Sequence, residues 1–461
     1  METSSTSVPP SAAIPGGITS CPADERFPLP RMLILSLQHL CVMISGTVAV
    51  PFIIGSALGL APREIAMLIS AGLFTCGIAT VIQSVGFWKF GIRLPLMQGV
   101  TFASVTPIIA IGTDPILASA GPAAIMQAIY GAIIAAGLFA LIAAPFAAHL
   151  IRLLPPVVVG SVLAVIGVSL MPVAIQHVMG GYVADAGAPR YIALAFGVLV
   201  VILLVNRLAR GFLANIAILV GLGVGLLAAT LGGMADFSAV NQASWVAVTP
   251  PFFFGAPSFH LVPVLTMCLV VTITWVESAG GAILVGDIAG RPARGQDIGN
   301  LIRADGISTL IGGVFNAFPY TAFSENIALI NITGVKSRWV VGLAGLLLAC
   351  LGLFPKLSAL VASLPKPVVG GAGLMMFGVI FAAGVKTLKV VDFDTDLRNF
   401  LVVGLSLGAA MIPIASPDFF HFMPDWSRVV FDSSVVLGAN TAIILNLLFN
   451  GISPLDDHEP S

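Results

Sequence analysis

The sequence predicts an all-α polytopic membrane protein, on three observations. Of its 461 residues, 58% are hydrophobic and 9% charged, where a soluble domain carries roughly 25% charged residues. Apolar runs of about 20 residues, enough to cross a hydrocarbon core of about 30 Å, recur from end to end. The basic residues collect on alternate connections, as the positive-inside rule requires. A basic patch for nucleic acid is missing from this pattern. The five cysteines, Cys21, Cys41, Cys76, Cys268 and Cys350, have neither metal-ligand nor redox spacing.

Fourteen segments are expected, at roughly 32–55, 62–82, 95–112, 122–148, 155–173, 189–206, 212–232, 260–285, 297–316, 319–332, 339–358, 367–384, 398–416 and 430–449. The first 30 residues, rich in Ser, Pro and Gly, read as a disordered cytoplasmic tail. Met1–Ser20 has no Lys or Arg, so a signal peptide is not expected there. Segments 3 and 10 are weak as plain helices. Segment 3 holds Pro95, Gln98, Gly99, Thr101 and Pro107; segment 10 holds Pro319, Thr321, Ser324, Glu325 and Asn326.

Charge sidedness supports counting both as crossings. With the N-terminus cytoplasmic, five of the 20 Lys and Arg fall outside: Arg63, Arg190, Lys356, Lys366 and Arg428. The other fifteen fall inside. Deleting one weak segment would reverse the bias for every loop after it.

A faint repeat divides the chain. PVVVG at Pro156–Gly160 opens segment 5, and PVVGG at Pro367–Gly371 opens segment 12. Segments 3 and 10, both polar and interrupted by Pro or Gly, are likewise seven apart. Seven is odd, so the two halves would be inverted. Matched broken segments in two halves point to a transporter's central site. There, unpaired backbone groups and half-helix ends can meet a solute.

Two acids stand inside apolar stretches. Glu277 lies mid-way along LVPVLTMCLVVTITWVESAGGAILVG, and Glu325 lies beside Asn326 in segment 10. A charge at mid-membrane costs at least about 2.5–3.5 kcal/mol, and such residues usually face a pathway. Either acid could instead be locked in helix-to-helix hydrogen bonds. Phe102, Ala103 and Ser104 flank the break in segment 3, as Phe323, Ser324 and Glu325 flank that in segment 10. Phe102 can stack on a flat ring or simply pack in the core. His39, Asn316 and Thr333 are read as packing, capping or functional groups alike. Asp392, Asp394 and Asp396 alternate as calcium ligands do but complete no EF-hand loop, and read as a solvated loop.

Several stretches resemble the nucleobase–ascorbate transporter family, also called the nucleobase–cation symporter-2 or xanthine/uracil permease family. They are FPYTAFSENIALINITGVKSR (Phe318–Arg338), WVESAGGAILVGDIAGR (Trp275–Arg291), LPLMQGVTFASVTPIIAIG (Leu94–Gly112), LQH (Leu37–His39) and RADG (Arg303–Gly306). The resemblance runs from about Leu33 to Leu447. It implies two inverted repeats of seven segments, with short antiparallel strands in segments 3 and 10. It implies a core domain over 31–150 and 260–360, a gate domain over 151–235 and 365–450, and a C-terminal tail over 451–461. It implies proton-coupled uptake of a purine such as xanthine or urate, or of uracil, by an elevator-type motion in the plasma membrane. Both termini would be cytoplasmic and the protein a homodimer, without cofactor or metal; sodium is an alternative coupling ion. Residue by residue, Glu277, Glu325 and Phe102 match the solute site and Asn326 the residue next to it; Ser324, at the break in segment 10, is added as a substrate-binding candidate. Glu277, Asp305 and His39 match the candidates for proton coupling. Ascorbate or another organic anion, or a channel mechanism, is the alternative.

Three positions depart from the family pattern. Gly281 stands where members resembling uracil permeases have His and some xanthine permeases have Asp. Ala328 replaces a usual glycine. Glu325 is Gln in most xanthine- and urate-type members and Glu in uracil types, while the surrounding motif is purine-like. A carboxylate accepts two hydrogen bonds and donates none, and xanthine and uracil both offer N–H groups, so the choice of base stays open.

Overall fold

The computed structural model describes residues 21–451 apart from 115, 116, 118, 148–153, 182, 294, 425, 426, 428 and 429; of 324, 325, 328 and 332 it describes the backbone. Residues 1–20 of the expected tail, and 452–461, lie outside the described residues. Residues 21–28 depart from the expected disorder by docking on the start of segment 11. Ser337 Oγ donates to the Glu25 carbonyl, Arg338 pairs with Asp24, and Arg26 lies over the Trp339 ring at 4.4 Å.

The helices are segment 1 (Leu29–Ala57), 2 (Pro62–Ser84), 4 (Pro122–Ala143), 5 (Pro156–Val178), 6 (Pro189–Leu208), 7 (Ala217–Leu231), 8 (Leu261–Ala289), 9 (Gly295–Val314), 11 (Arg338–Gly352), 12 (Lys366–Leu388), 13 (Arg398–Ala415) and 14 (Ser434–Phe449). Pro62, Pro122, Pro156 and Pro189 each open a helix, where a missing N–H costs nothing because that group has no intrahelical partner. By length and composition, eight described helices can cross a membrane: segments 1, 2, 4, 5, 6, 8, 12 and 13.

Segment 11 differs from expectation. It stops at Gly352, and Pro355–Ala362 continues at 80° to it. Pro355 cannot donate to the preceding turn, so the chain restarts in a new direction. Segments 7 and 14 are shorter than the apolar runs suggest, at 15 and 16 residues.

Segments 3 and 10 are strand, turn and half-helix. Strand β1 (Gln98–Val100) pairs antiparallel with β2 (Tyr320–Ala322), Gly99 opposite Thr321. Two bonds extend the ladder: Thr101 N to the Pro319 carbonyl at 2.9 Å and Phe323 N to that of Met97 at 3.0 Å. After β1 come a 3-10 turn, Phe102–Ser104, and the half-helix Val105–Gly112. After β2 comes the half-helix Ser324–Thr333, closed by Gly334 at φ 66°.

Helix pairing falls into two sets. Segments 1–4 and 8–11 pack mainly on one another, and segments 5–7 and 12–14 do the same. The pairing also repeats. Segment 2 packs on 11 as 9 packs on 4, segment 6 on 7 as 13 on 14, and segment 6 on 12 as 13 on 5. Adding seven to the first pair of each comparison, and wrapping round at fourteen, gives the second. Glycines allow the closest crossings. A Cβ on Gly77 would lie 2.3 Å from Ala349 N, and one on Gly384 2.5 Å from Ala164 N.

The connection before segment 8 crosses the ends of segments 4 and 9. Asn316, in the left-handed region at φ 65°, accepts from Phe253 N (3.1 Å) and donates to the Pro250 carbonyl (2.9 Å). Tyr130 OH donates to the Asn316 carbonyl at 3.0 Å. In the loop after segment 12, Asp392 is exposed and accepts from the amides of Asp394 and Thr395 and from the Thr395 hydroxyl. These bonds, led by the Thr395 hydroxyl, hold its carboxyl below the usual range.

Candidate functional site

Three helices hold the two strands at their buried positions. Segment 2 supplies Thr80, whose Oγ1 accepts from Gln98 N (3.1 Å), and Cys76, whose Sγ lies 3.2 Å from the Gln98 carbonyl. Thr75 of the same helix bonds the Tyr320 hydroxyl. Segment 9 supplies Thr309, whose Oγ1 accepts from Tyr320 N (3.3 Å), and segment 8 supplies Ser278, whose Oγ accepts from Ala322 N (2.9 Å). Strands of three residues cannot persist alone. Here the helices satisfy their backbone groups, which unpaired would be costly in this apolar interior.

Phe323 locks the ends of the strands. Its ring is buried in a slot formed by Gly46 of segment 1 and Gly99 of β1. A Cβ on Gly46 would lie 2.0 Å from the ring, and one on Gly99 2.1 Å. Neither position tolerates a side chain unless Phe323 moves.

Glu277 stands beside this assembly, near the middle of segment 8. Thr321 Oγ1 of β2 donates to its Oε2 at 3.2 Å. Glu277 and Thr321 share a narrow cavity with Val100, Phe102, Ala103 and Phe323, facing Leu163, Ile166 and Ile380 of segments 5 and 12. Both packing sets thus contribute walls. Phe102 is half-buried, its ring edge-on to Phe377 with centroids 5.9 Å apart. The cavity has carboxylate, hydroxyl, aromatic face and two chain breaks together, the mixture that orients a small polar ring.

Behind the strands lies a second buried polar group. Asp305 of segment 9 is 1% exposed. Its Oδ1 accepts from Gln83 Nε2 at 3.0 Å, and Gln83 Oε1 accepts from Ile92 N at 3.1 Å. Ser278 and Gln98 approach the same carboxyl, yet neither makes an aligned hydrogen bond to its Oδ2. Ser278 Oγ also lies 3.3 Å from Thr321 Oγ1. Glu277, Thr321, Ser278 and Asp305 therefore form a run of neighbouring polar groups from the cavity to the far side of the strands.

The remaining candidates sit around the half-helix of segment 10. Ser324 and Glu325 occupy its first turn; their side chains lie outside the described ones. Asn326 is buried and meets His39 of segment 1, Nδ1 to Oδ1 at 2.6 Å. In the tautomer this amide orientation demands, Nδ1 donates. His39 and Asn326 thus brace the half-helix and do not line the cavity.

Thr321, Ser278 and Gln83 were not singled out by sequence reasoning as site residues, and Phe323 was placed at the break in segment 10 without its slot. A hydroxyl directly after Glu277, and another in the broken segment 10, were the available signals. Nothing in the sequence ties Gly46 to Phe323.

A family model described as a permease family matches residues 30–419. The chain belongs to the xanthine/uracil permease family. Among its relatives, the uric acid transporter UacT of Escherichia coli (strain K12) is 43% identical over 91% of this chain and 86% of its own length. The xanthine permease of Bacillus subtilis (strain 168) is 39% identical over 92% of this chain and 94% of its own. Among solved structures, the transmembrane domain of the cyanobacterium bicarbonate transporter BicA superposes with a TM-score of 0.60 at 14% identity, over 90% of this chain and 98% of that one. Murine Slc26a9, an anion transporter in the inward-facing state, gives 0.63 at 12%, over 91% and 68%. At those identities the structural likeness establishes the fold alone. As a permease of this family, the protein is a multi-pass membrane protein, in keeping with its apolar helices.

Proposed function

We propose that this permease imports a nucleobase by symport with protons, the solute binding between the paired strands and Glu277. The observation that carries the reading is the Glu277 carboxylate at the middle of a membrane helix, in one cavity with Phe102 and Thr321. A carboxylate there accepts from ring N–H groups, Phe102 covers a ring face, and backbone groups near Phe102 and Ser324 complete the edge contacts. Glu325, in the first turn of the half-helix, is assigned to the opposite edge of the base. The printed names of the relatives, uric acid transporter and xanthine permease, favour a purine with several N–H groups. Uracil stays on the panel because Glu325 is the side chain of uracil-type members.

Glu277 is assigned the coupling proton, because it is the acid in contact with the solute cavity. Asp305 is reached through Thr321 and Ser278, and His39 through Asn326; both are assigned supporting parts. The two packing sets are taken as core (segments 1–4 and 8–11) and gate (segments 5–7 and 12–14), in fourteen crossings. As it stands the cavity has room for only a few waters, so the gate walls Leu163, Ile166 and Ile380 must part from the strands for a base to enter. An elevator-type slide of core against gate supplies that opening. A homodimer in the plasma membrane, with both termini cytoplasmic, completes the proposal.

The test is uptake of labelled bases in cells expressing the protein, with uracil, xanthine, urate, hypoxanthine, guanine, adenine and ascorbate as competitors. A proton uncoupler and sodium removal form separate arms. Proton symport predicts uphill purine uptake that collapses with the uncoupler and survives sodium removal. Downhill-only movement would favour a channel, and competition by ascorbate alone would favour the organic-anion alternative.

A further inference from the structure

Two narrow cavities meet at one aromatic contact. The first is the solute cavity beside Glu277, of which Phe102 is a wall. The second lies between segments 1 and 12. Val48, Phe52, Ala372, Met376 and Phe377 wall it, and among the described residues Ser45 is its one polar lining residue. Phe377 is 1% exposed and stands edge-on to Phe102 at 5.9 Å and 76°. The Phe102–Phe377 pair therefore joins a wall of one cavity to a wall of the other. Further along the second cavity, Phe52 meets His177 edge-on at 6.0 Å and 78°. Each pair joins a residue of one packing set to a residue of the other. Phe52 and Phe102 belong to segments 1 and 3, His177 and Phe377 to segments 5 and 12.

We propose that Phe377 is a gating residue, closing the solute cavity against an apolar antechamber that the base crosses on its way from the outer face. The proposal rests on the solute-site reading above. The second cavity uses the later half of segment 1 and the earlier half of segment 12. Both halves lie toward the side with few basic residues, hence the outer side. A planar base can enter when its face replaces the Phe377 edge against Phe102, since offset-stacked and edge-to-face contacts are of similar strength. The Phe52–His177 pair is the second closure across the same path. Losing one edge-to-face pair shifts a closed-to-open equilibrium roughly two- to tenfold.

The test is labelling from outside. In a background with the five native cysteines replaced, Ala372→Cys places a thiol in the antechamber. Intact cells are treated with a membrane-impermeant maleimide, with Phe377 native, Phe377→Leu or Phe377→Ala. The proposal predicts labelling that quickens in the order native, Leu, Ala, by roughly two- to tenfold overall, and that saturating substrate slows. Phe377→Leu keeps most of the bulk, so it reports even where the alanine variant fails to reach the membrane. Equal rates in native and Phe377→Leu protein, both unaffected by substrate, overturn the gate. Uptake by Glu277→Gln separates the two readings. If it is lost while labelling ignores Phe377, the gate is discarded and the solute site kept. If it is normal while labelling follows Phe377, the Glu277 site is discarded and with it the gate's assignment to a solute cavity, leaving Phe377 a closure of the antechamber only.

Discussion

Two contacts distinguish residues that touch the cavity from residues that brace it. Glu277 reaches the cavity with Thr321 as its donor, whereas Asn326 turns away to His39. Breaking the His39–Asn326 bond from either side leaves a buried polar partner unsatisfied, at about 1–3 kcal/mol. His39→Ala and Asn326→Ala should each lower the thermal midpoint of the purified permease. The double variant should cost less than the sum of the two, as expected for groups in direct contact. Additive losses would contradict the pairing. Glu277 was legible from its sequence position alone, because an acid deep in an apolar run demands a reason. The supporting parts of Thr321, Ser278 and Gln83 were not, since hydroxyls and amides are common in membrane helices and only the tertiary path joins them.

At the scale of the element, the strand pair depends on absent side chains as much as on those present. Gly99→Ala puts a methyl within 2.1 Å of the Phe323 ring. It should abolish uptake, and Phe323→Leu in the same chain should restore part of it. Full uptake by Gly99→Ala alone would show that the slot is not tight. The strap over segments 4 and 9 offers a second check. Asn316→Gly keeps the left-handed backbone and loses two side-chain bonds. It should destabilise the protein by about 1–3 kcal/mol, and Asn316→Ala by more, because the backbone is then strained as well. Sequence reasoning located segment 3 through Pro95, Gln98, Gly99 and Pro107, and segment 10 through Pro319 and its polar residues. Three-residue strands carry no readable period, so their existence was implied by family resemblance and not by pattern. The turn at Pro355 went unread, because the apolar composition runs straight through it.

For the whole molecule, packing in two sets is what relative movement would need. Cysteines at Phe52 and His177 bridge the sets. A thiol cross-linker there should stop uptake until it is reduced. Cysteines at Phe87 and Phe90, which pair across a tight turn within one set, should cross-link without stopping it. Inhibition by both, or by neither, would contradict a slide of core against gate. Lys and Arg placement supplies the sidedness that the proposal adopts. Membrane class was readable from composition, and the halves of the chain from the PVVVG and PVVGG repeat. Which helices pack together was not, because Gly77 on Ala349 and Gly384 on Ala164 are long-range contacts with no local signature.

The central claim is that Glu277 both holds the base and carries the coupling proton. It is tested most directly in proteoliposomes containing native or Glu277→Gln permease, given labelled xanthine or urate under an imposed proton gradient. The amide keeps the size but cannot cycle a proton. The account predicts that gradient-driven accumulation is lost in Glu277→Gln and that the remaining flux no longer responds to pH. Undiminished accumulation with an unchanged pH dependence would contradict it.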